Sequence, residues 1–92
     1  MGMTMDLQPA DLSAAIGKVM GEVLLRPPLA ADEDFFDAGG DSLRAIEVLQ
    51  RLAKQPDTID HLGSTDMQAT LLEVIFEDGS PRALASAAAA HA

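Results

Sequence analysis

From Leu12 to Val23 the apolar residues Leu12, Ile16, Val19, Met20 and Val23 recur three and four apart, the period of a helix with one buried face. This predicts a first helix over Asp11 to Leu25. Asp11 reads as its N-cap, Arg26 sits at the negative end of its dipole, and Pro27-Pro28 cannot continue it. Gly17 and Gly21 lie one turn apart inside this helix, and each costs about 1 kcal/mol relative to Ala. Their presence implies that a neighbouring element approaches closely there.

Arg26 to Asp41 has neither helical nor alternating period and contains two Pro, two Gly and five acidic residues. Long connections of this kind often carry function. Phe35 and Phe36 are its large apolar pair, and at least one should pin the loop to the core. A second helix is predicted to begin at Ser42, capped by Asp41, with Leu43, Ile46, Leu49 and Ala53 on one stripe and Leu52 beside it. It ends before Pro56, and Glu47 stands four residues before Arg51, a favourable surface pair.

Lys54 to Gln68 reads mostly as loop, since Pro56, Asp57, Gly63, Ser64 and Asp66 are turn-formers, although Ile59 and Leu62 could anchor a helical turn. Thr70 with Glu73 three residues on forms a capping-box pattern and opens a short third helix that stops at Gly79. Ser80-Pro81 then starts a fourth helix over Arg82 to Ala90, with Ala87 to Ala90 its fraying end. No repeat appears. The expectation is one domain over residues 1–92, with residues 1–8 and 88–92 disordered.

Apolar residues make up 48% of the chain and aromatic ones only 3%, a mixture that suits helices over sheets. A chain of 92 residues builds one modest core and has little left to enclose a substrate, which favours a module that other proteins act upon. Fifteen acidic residues against six basic ones give a formal net charge of −9, which argues against nucleic acid and for partners with basic faces. With no Cys there is no disulfide framework, thiolate metal site or Cys nucleophile, so any thiol must be imported. No stretch approaches the roughly 20 apolar residues of a membrane span, so a soluble cytoplasmic monomer is expected.

The chemistry concentrates at Ser42. Gly39-Gly40 allows a tight turn, Asp41 caps the helix, and Ser42 follows beside unpaired backbone N–H groups at the positive end of a helix dipole. A phosphate ester is favourable in that position. By itself Asp-Ser would only start a helix. However, Phe35-Phe36-Asp37-Ala38-Gly39-Gly40-Asp41-Ser42-Leu43 resembles the attachment motif of acyl and peptidyl carrier proteins, most closely the thiolation domains of nonribosomal peptide synthetases. Their pattern is close to F-F-x-L-G-G-D-S-L, and the chain departs from it only at Ala38. The resemblance continues through Arg44 to Leu49 and more loosely over residues 11 to 90.

The resemblance implies an all-α four-helix bundle of the acyl-carrier type, with a long loop between helices one and two and a short third helix. It implies a phosphoprotein that is no enzyme, with 4′-phosphopantetheine from coenzyme A attached covalently to Ser42 by a phosphopantetheinyl transferase. Gly40, Asp41 and Leu43 belong to the same cofactor site. Acyl, aminoacyl or peptidyl cargo would be tethered to the arm as a thioester, in nonribosomal peptide or hybrid polyketide biosynthesis. The partners are an adenylating or acyl-loading enzyme, then condensation, ketosynthase or thioesterase enzymes, with Leu43, Arg44 and Glu47 as candidate recognition residues.

Gly40-Asp41-Ser42-Leu43 also spells the signature of a family of Ser hydrolases, which require a His base with its Asp orienter. The partner motif Asp-x-x-His fails, because Thr58 stands three residues before His61 and Ala88 three before His91. The elbow G-x-S-x-G fails too, with Arg44 at the second Gly position. An EF-hand loop starting at Asp37 lacks its Gly and Glu, since Ser42 and Val48 stand there, and one starting at Asp32 has Asp37 in the Gly position. His61 has no second His or Cys nearby to complete a metal site.

Overall fold

The computed structural model describes residues 9–56, 58 and 62–91. Among these the order is α1 (Pro9–Leu24), α2 (Ser42–Lys54), α3 (Thr65–Glu77) and α4 (Pro81–His91), with no strand. α1 packs against α4 and α2, and α3 against the same two, so the four helices surround one core. The all-α bundle read from periodicity and caps is the observed fold. The expectations for residues 1–8 and for His61 lie outside the described residues.

In α1 the predicted stripe is the buried face, with Leu12, Ile16, Val19, Met20 and Val23 all in the core. The helix begins two residues before Asp11, at Pro9, whose fixed φ suits a first helical position. Asp11 therefore stands in the first turn, where it still complements the dipole, and is not the N-cap. At the other end Leu25 adopts φ 59°, and the Arg26 N–H reaches back to the Gly21 carbonyl at 2.9 Å while the Leu25 N–H meets that of Glu22 at 3.3 Å. These two bonds close the helix as a Schellman motif with Leu in the position usually given to Gly.

The turn folds the α1–α2 loop back along α1. The Leu29 N–H donates to the Gly17 carbonyl at 3.1 Å, and a Cβ on Gly17 would collide with the Leu29 carbonyl oxygen. One on Gly21 would stand 2.7 Å from the Pro27 oxygen and 2.9 Å from that of Arg26. The close approach predicted at both glycines is that of the loop's own backbone. Arg26 then clamps Glu33 with 2.7 and 3.3 Å contacts, and Leu29 is buried in the core.

Three further sequence expectations are corrected. The core face of α2 is Ala45, Val48, Leu49 and Leu52, while Leu43 and Ile46, predicted to share the stripe, are exposed. Two apolar stripes coexist on this helix, and the one spaced for i, i+3, i+4, i+7 packs on the other helices. α3 starts at Thr65, capped by the Ser64 hydroxyl accepting from the Met67 N–H at 3.1 Å, and has the same 13 residues as α2. The helix therefore begins before the Thr70–Glu73 pattern and runs through it. α4 is helical through Ala87 to Ala90, with Ala88 buried, where fraying was expected.

Between α2 and α3 the Leu62 N–H donates to the Thr58 carbonyl at 2.8 Å, the spacing of a helical turn. Thr58 is fully buried and its hydroxyl donates to the Leu52 carbonyl at 2.7 Å, satisfying one of the last carbonyls of α2.

Candidate functional site

At the start of α2 the Asp41 backbone is extended, with φ −141° and ψ −177°. One Asp41 carboxylate oxygen accepts from the Arg44 backbone N–H at 2.9 Å, and the other meets the Arg44 guanidinium at 2.8 Å. That N–H is the main cause holding the Asp41 carboxyl below its ordinary range; desolvation opposes it, and the Arg44 charge assists. With the cap supplied by Asp41, Ser42 becomes the first helical residue and is exposed.

Two other helices have Ser at or before their start, and comparison separates their roles. The Ser64 hydroxyl accepts from the Met67 N–H at 3.1 Å and the Ser80 hydroxyl from the Ala83 N–H at 3.2 Å, so both are caps. Ser80 is also buried. Ser42 differs because its neighbour does the capping, which releases the Ser42 oxygen from that task. The first N–H groups of a helix lack intrahelical partners, so an anion on this oxygen lies beside donors at the positive end of the dipole.

The loop behind Ser42 is anchored deep in the fold. The Phe35 ring is fully buried, and a Cβ on Gly40 would overlap it, so only Gly lets the chain cross the ring face before Asp41. The Gly40 N–H donates to the Phe35 carbonyl at 3.0 Å, and Gly39 takes φ 115°, a conformation that favours Gly. The Phe35 N–H donates to the Gly79 carbonyl at 3.0 Å, and the Gly79 N–H returns to the Asp34 carboxylate at 3.0 Å. The expectation that a Phe pins the loop is met by Phe35. Phe36 packs edge-on to Phe35 and stacks at 5.6 Å on Phe76 of α3.

α2 and α3 carry exposed apolar side chains with charged residues among them. Leu43 is 80% exposed, and Ile46, Leu72 and Phe76 are exposed as well. Arg44 and Glu47 are exposed beside them. A groove of about 420 Å³ opens between Ile46, Leu49 and Gln50 of α2 and Thr65, Gln68, Ala69 and Leu72 of α3. Gly40, Asp41, Ser42 and Leu43 are consecutive at the start of α2. Asp34, Leu72 and Phe76 are not among the residues that the sequence pattern singles out. An Asp two residues before the N–H it accepts is a recognisable Asx pattern, whereas exposure of Leu72 and Phe76 follows only from the packing angle of α3. Among the described residues, no group of three or more His, Cys, Asp and Glu side chains is disposed to hold a metal ion.

The family model for the phosphopantetheine attachment site matches residues 11–59, which run from α1 past the end of α2 and include Ser42. The chain belongs to this family. No curated protein and no solved structure gave a match.

Phosphopantetheine attachment domains carry 4′-phosphopantetheine covalently on a Ser. The geometry accommodates such a group at Ser42: the residue is exposed, its neighbours Leu43 and Arg44 are exposed, and no capping duty competes for its oxygen. This carrier domain interacts with a phosphopantetheinyl transferase and with partner enzymes. The hydrolase alternative requires an α/β sheet beneath its nucleophile, and the described residues form helices and loops with no strand.

Proposed function

We propose that Ser42 is the attachment residue, and that the chain presents acyl, aminoacyl or peptidyl groups to enzymes of nonribosomal peptide or hybrid polyketide assembly. The observation that carries this reading is the division of labour at the α2 start, where Asp41 caps the helix and Ser42 stands exposed. The Gly-Gly-Asp-Ser-Leu form of the motif favours aminoacyl or peptidyl cargo.

In the loading step the Ser42 oxygen attacks the phosphorus of coenzyme A that bears the pantetheine arm. The phosphorus–oxygen bond to adenosine 3′,5′-bisphosphate breaks, and the Ser42 proton passes to a base of the Mg²⁺-dependent transferase. Asp41 keeps the first turn of α2 formed, and Gly40 lets the loop pass close to the Phe35 ring on its way to Ser42. The attached arm supplies a terminal thiol for cargo in a chain that has no Cys. Ser42 is modified and does not itself catalyse acyl transfer, so the chain is no enzyme.

Leu43, Arg44 and Glu47 adjoin the attachment point and, with Ile46, Leu72 and Phe76, offer partners an apolar face with charged edges. The net charge of −9 favours basic partner surfaces and faster encounter at low salt. Those partners are the transferase, an adenylating or acyl-loading enzyme, and condensation, ketosynthase or thioesterase enzymes. No helix among the described residues is long and apolar enough to cross a membrane. We place the working site in the cytoplasm, where coenzyme A and the transferase meet the chain.

The test is intact mass before and after incubation with a promiscuous transferase, Mg²⁺ and coenzyme A. Wild type gains one phosphopantetheine and Ser42→Ala gains none. No gain in wild type, or a gain that persists in Ser42→Ala, contradicts the reading.

A further inference from the structure

Asp34 is eight residues from Ser42 and does not touch it, yet it collects the backbone groups that decide where the loop lies. One carboxylate oxygen accepts from the Phe36 N–H at 2.9 Å and the Asp37 N–H at 3.0 Å, closing the turn that leads to Gly39-Gly40. The other accepts from the Gly79 N–H at 3.0 Å, on the connection between α3 and α4. The Phe35 N–H completes a two-way staple by donating to the Gly79 carbonyl at 3.0 Å. Nearby, the Arg82 N–H at the start of α4 donates to the Ala31 carbonyl at 2.9 Å.

From this staple a short rigid path leads to Ser42. Asp34 fixes Phe35, whose ring is fully buried; the Gly40 backbone lies against that ring and bonds to the Phe35 carbonyl; Asp41 and Ser42 follow directly. The staple is tightly built, since a Cβ on Gly79 would stand 3.0 Å from the Asp34 carboxylate and 3.2 Å from the Ile75 carbonyl. The position of the α2 start relative to α3 and α4 is thereby tied to a contact 45 residues apart in the chain.

We propose that Asp34 is a positioning residue for the modification of Ser42: by binding the loop to the α3–α4 connection it holds the Ser42 hydroxyl where a transferase docked on the α2–α3 surface can use it. The proposal rests on Ser42 being the attachment residue. Removing the staple leaves Leu43, Arg44 and Glu47 in place on α2, so docking survives while the hydroxyl is presented less accurately. The loss then falls on turnover and spares docking. Misplacement of a reacting group by about 1 Å costs up to about a hundredfold in rate, so a tenfold or greater loss of kcat is expected.

The experiment measures steady-state transfer of phosphopantetheine from coenzyme A by intact mass, with wild type, Asp34→Ala, Asp34→Asn and the buried α1 control Val19→Ala as protein substrates. The expected result is kcat reduced at least about tenfold in Asp34→Ala with KM for the carrier within about twofold, and partial recovery in Asp34→Asn, whose carboxamide oxygen restores one side of the staple. Val19→Ala should lower the unfolding temperature and leave kcat unchanged. If Asp34→Ala does not fold, Asp34→Asn carries the test with an intermediate loss of kcat. Unchanged kcat in the folded Asp34 variants, a change confined to KM, or an equal loss in Val19→Ala overturns the proposal. Wild type that is never modified contradicts the attachment reading itself, a result distinguishable from all of these.

Discussion

Leu25→Gly should stabilise the domain. Leu25 holds φ 59° at the end of α1, a region in which an L side chain costs about 1–2 kcal/mol. Its side chain is 92% exposed, so truncation forfeits almost no burial. The two closing bonds, from the Arg26 N–H to the Gly21 carbonyl and from the Leu25 N–H to that of Glu22, are backbone bonds and persist in the variant. Against the relief stands the larger unfolded-state freedom of Gly, about 0.5–1 kcal/mol. The difference is a gain of about 0.5–1 kcal/mol, which in a domain of this size raises the unfolding temperature by roughly 2–8 °C. Urea denaturation followed by circular dichroism should show a higher midpoint with an unchanged slope. Leu25→Ala, which keeps the Cβ and hence the strain, should stay near wild type. A midpoint for Leu25→Gly that is unmoved or lowered would refute the reasoning, since it would mean that the left-handed turn is not strained.

Ser13→Ala should also stabilise, because the Ser13 hydroxyl is buried in α1 without a hydrogen-bond partner and Ala is the better helix former. A gain of about 1 kcal/mol in chemical denaturation is expected, and a loss would show that the hydroxyl has a partner. Stability should fall in acid. Asp41 is held below its ordinary range chiefly by the Arg44 N–H, and Glu33 chiefly by the Arg26 side chain. Both therefore contribute stability that is present above their unfolded values, near 3.9 for Asp and 4.3 for Glu, and that is lost as pH falls through the lower folded values. Asp41→Asn keeps a capping oxygen without the titration, so its urea midpoint should fall less steeply between about pH 6 and pH 3. An acid limb as steep as that of wild type would contradict this.

What was legible in the chain was what is local. The α1 stripe from Leu12 to Val23 is a single period, and its burial follows directly. Gly17 and Gly21 announced a close approach because Gly in a helix interior is costly, although the approaching group, the loop's own carbonyls, was not readable. α2 was harder. Leu43 and Ile46 are more hydrophobic than Ala45, so ranking by hydrophobicity chose a face rotated from the one that packs, and the exposed pair belongs to the surface around Ser42. In α3 the Thr70–Glu73 pattern concealed the earlier cap at Ser64, where Asp66 in the first turn was an available signal. The cap at Asp41 and the helix start at Ser42 were readable because they are contiguous. The Asp34–Gly79 staple was not, since no local period or cap links residues 45 apart.

The central claim concerns one oxygen among several of its kind. The chain has Ser at positions 13, 42, 64, 80 and 86, and two of these, Ser42 and Ser64, lie exposed at helix starts. Fragmentation mass spectrometry of the protease-digested, transferase-treated protein tests the claim most directly. The account predicts the phosphopantetheine on Ser42 alone, in the peptide containing Gly39-Gly40-Asp41-Ser42-Leu43. Modification at Ser64 or any other hydroxyl, or none at all, would contradict it.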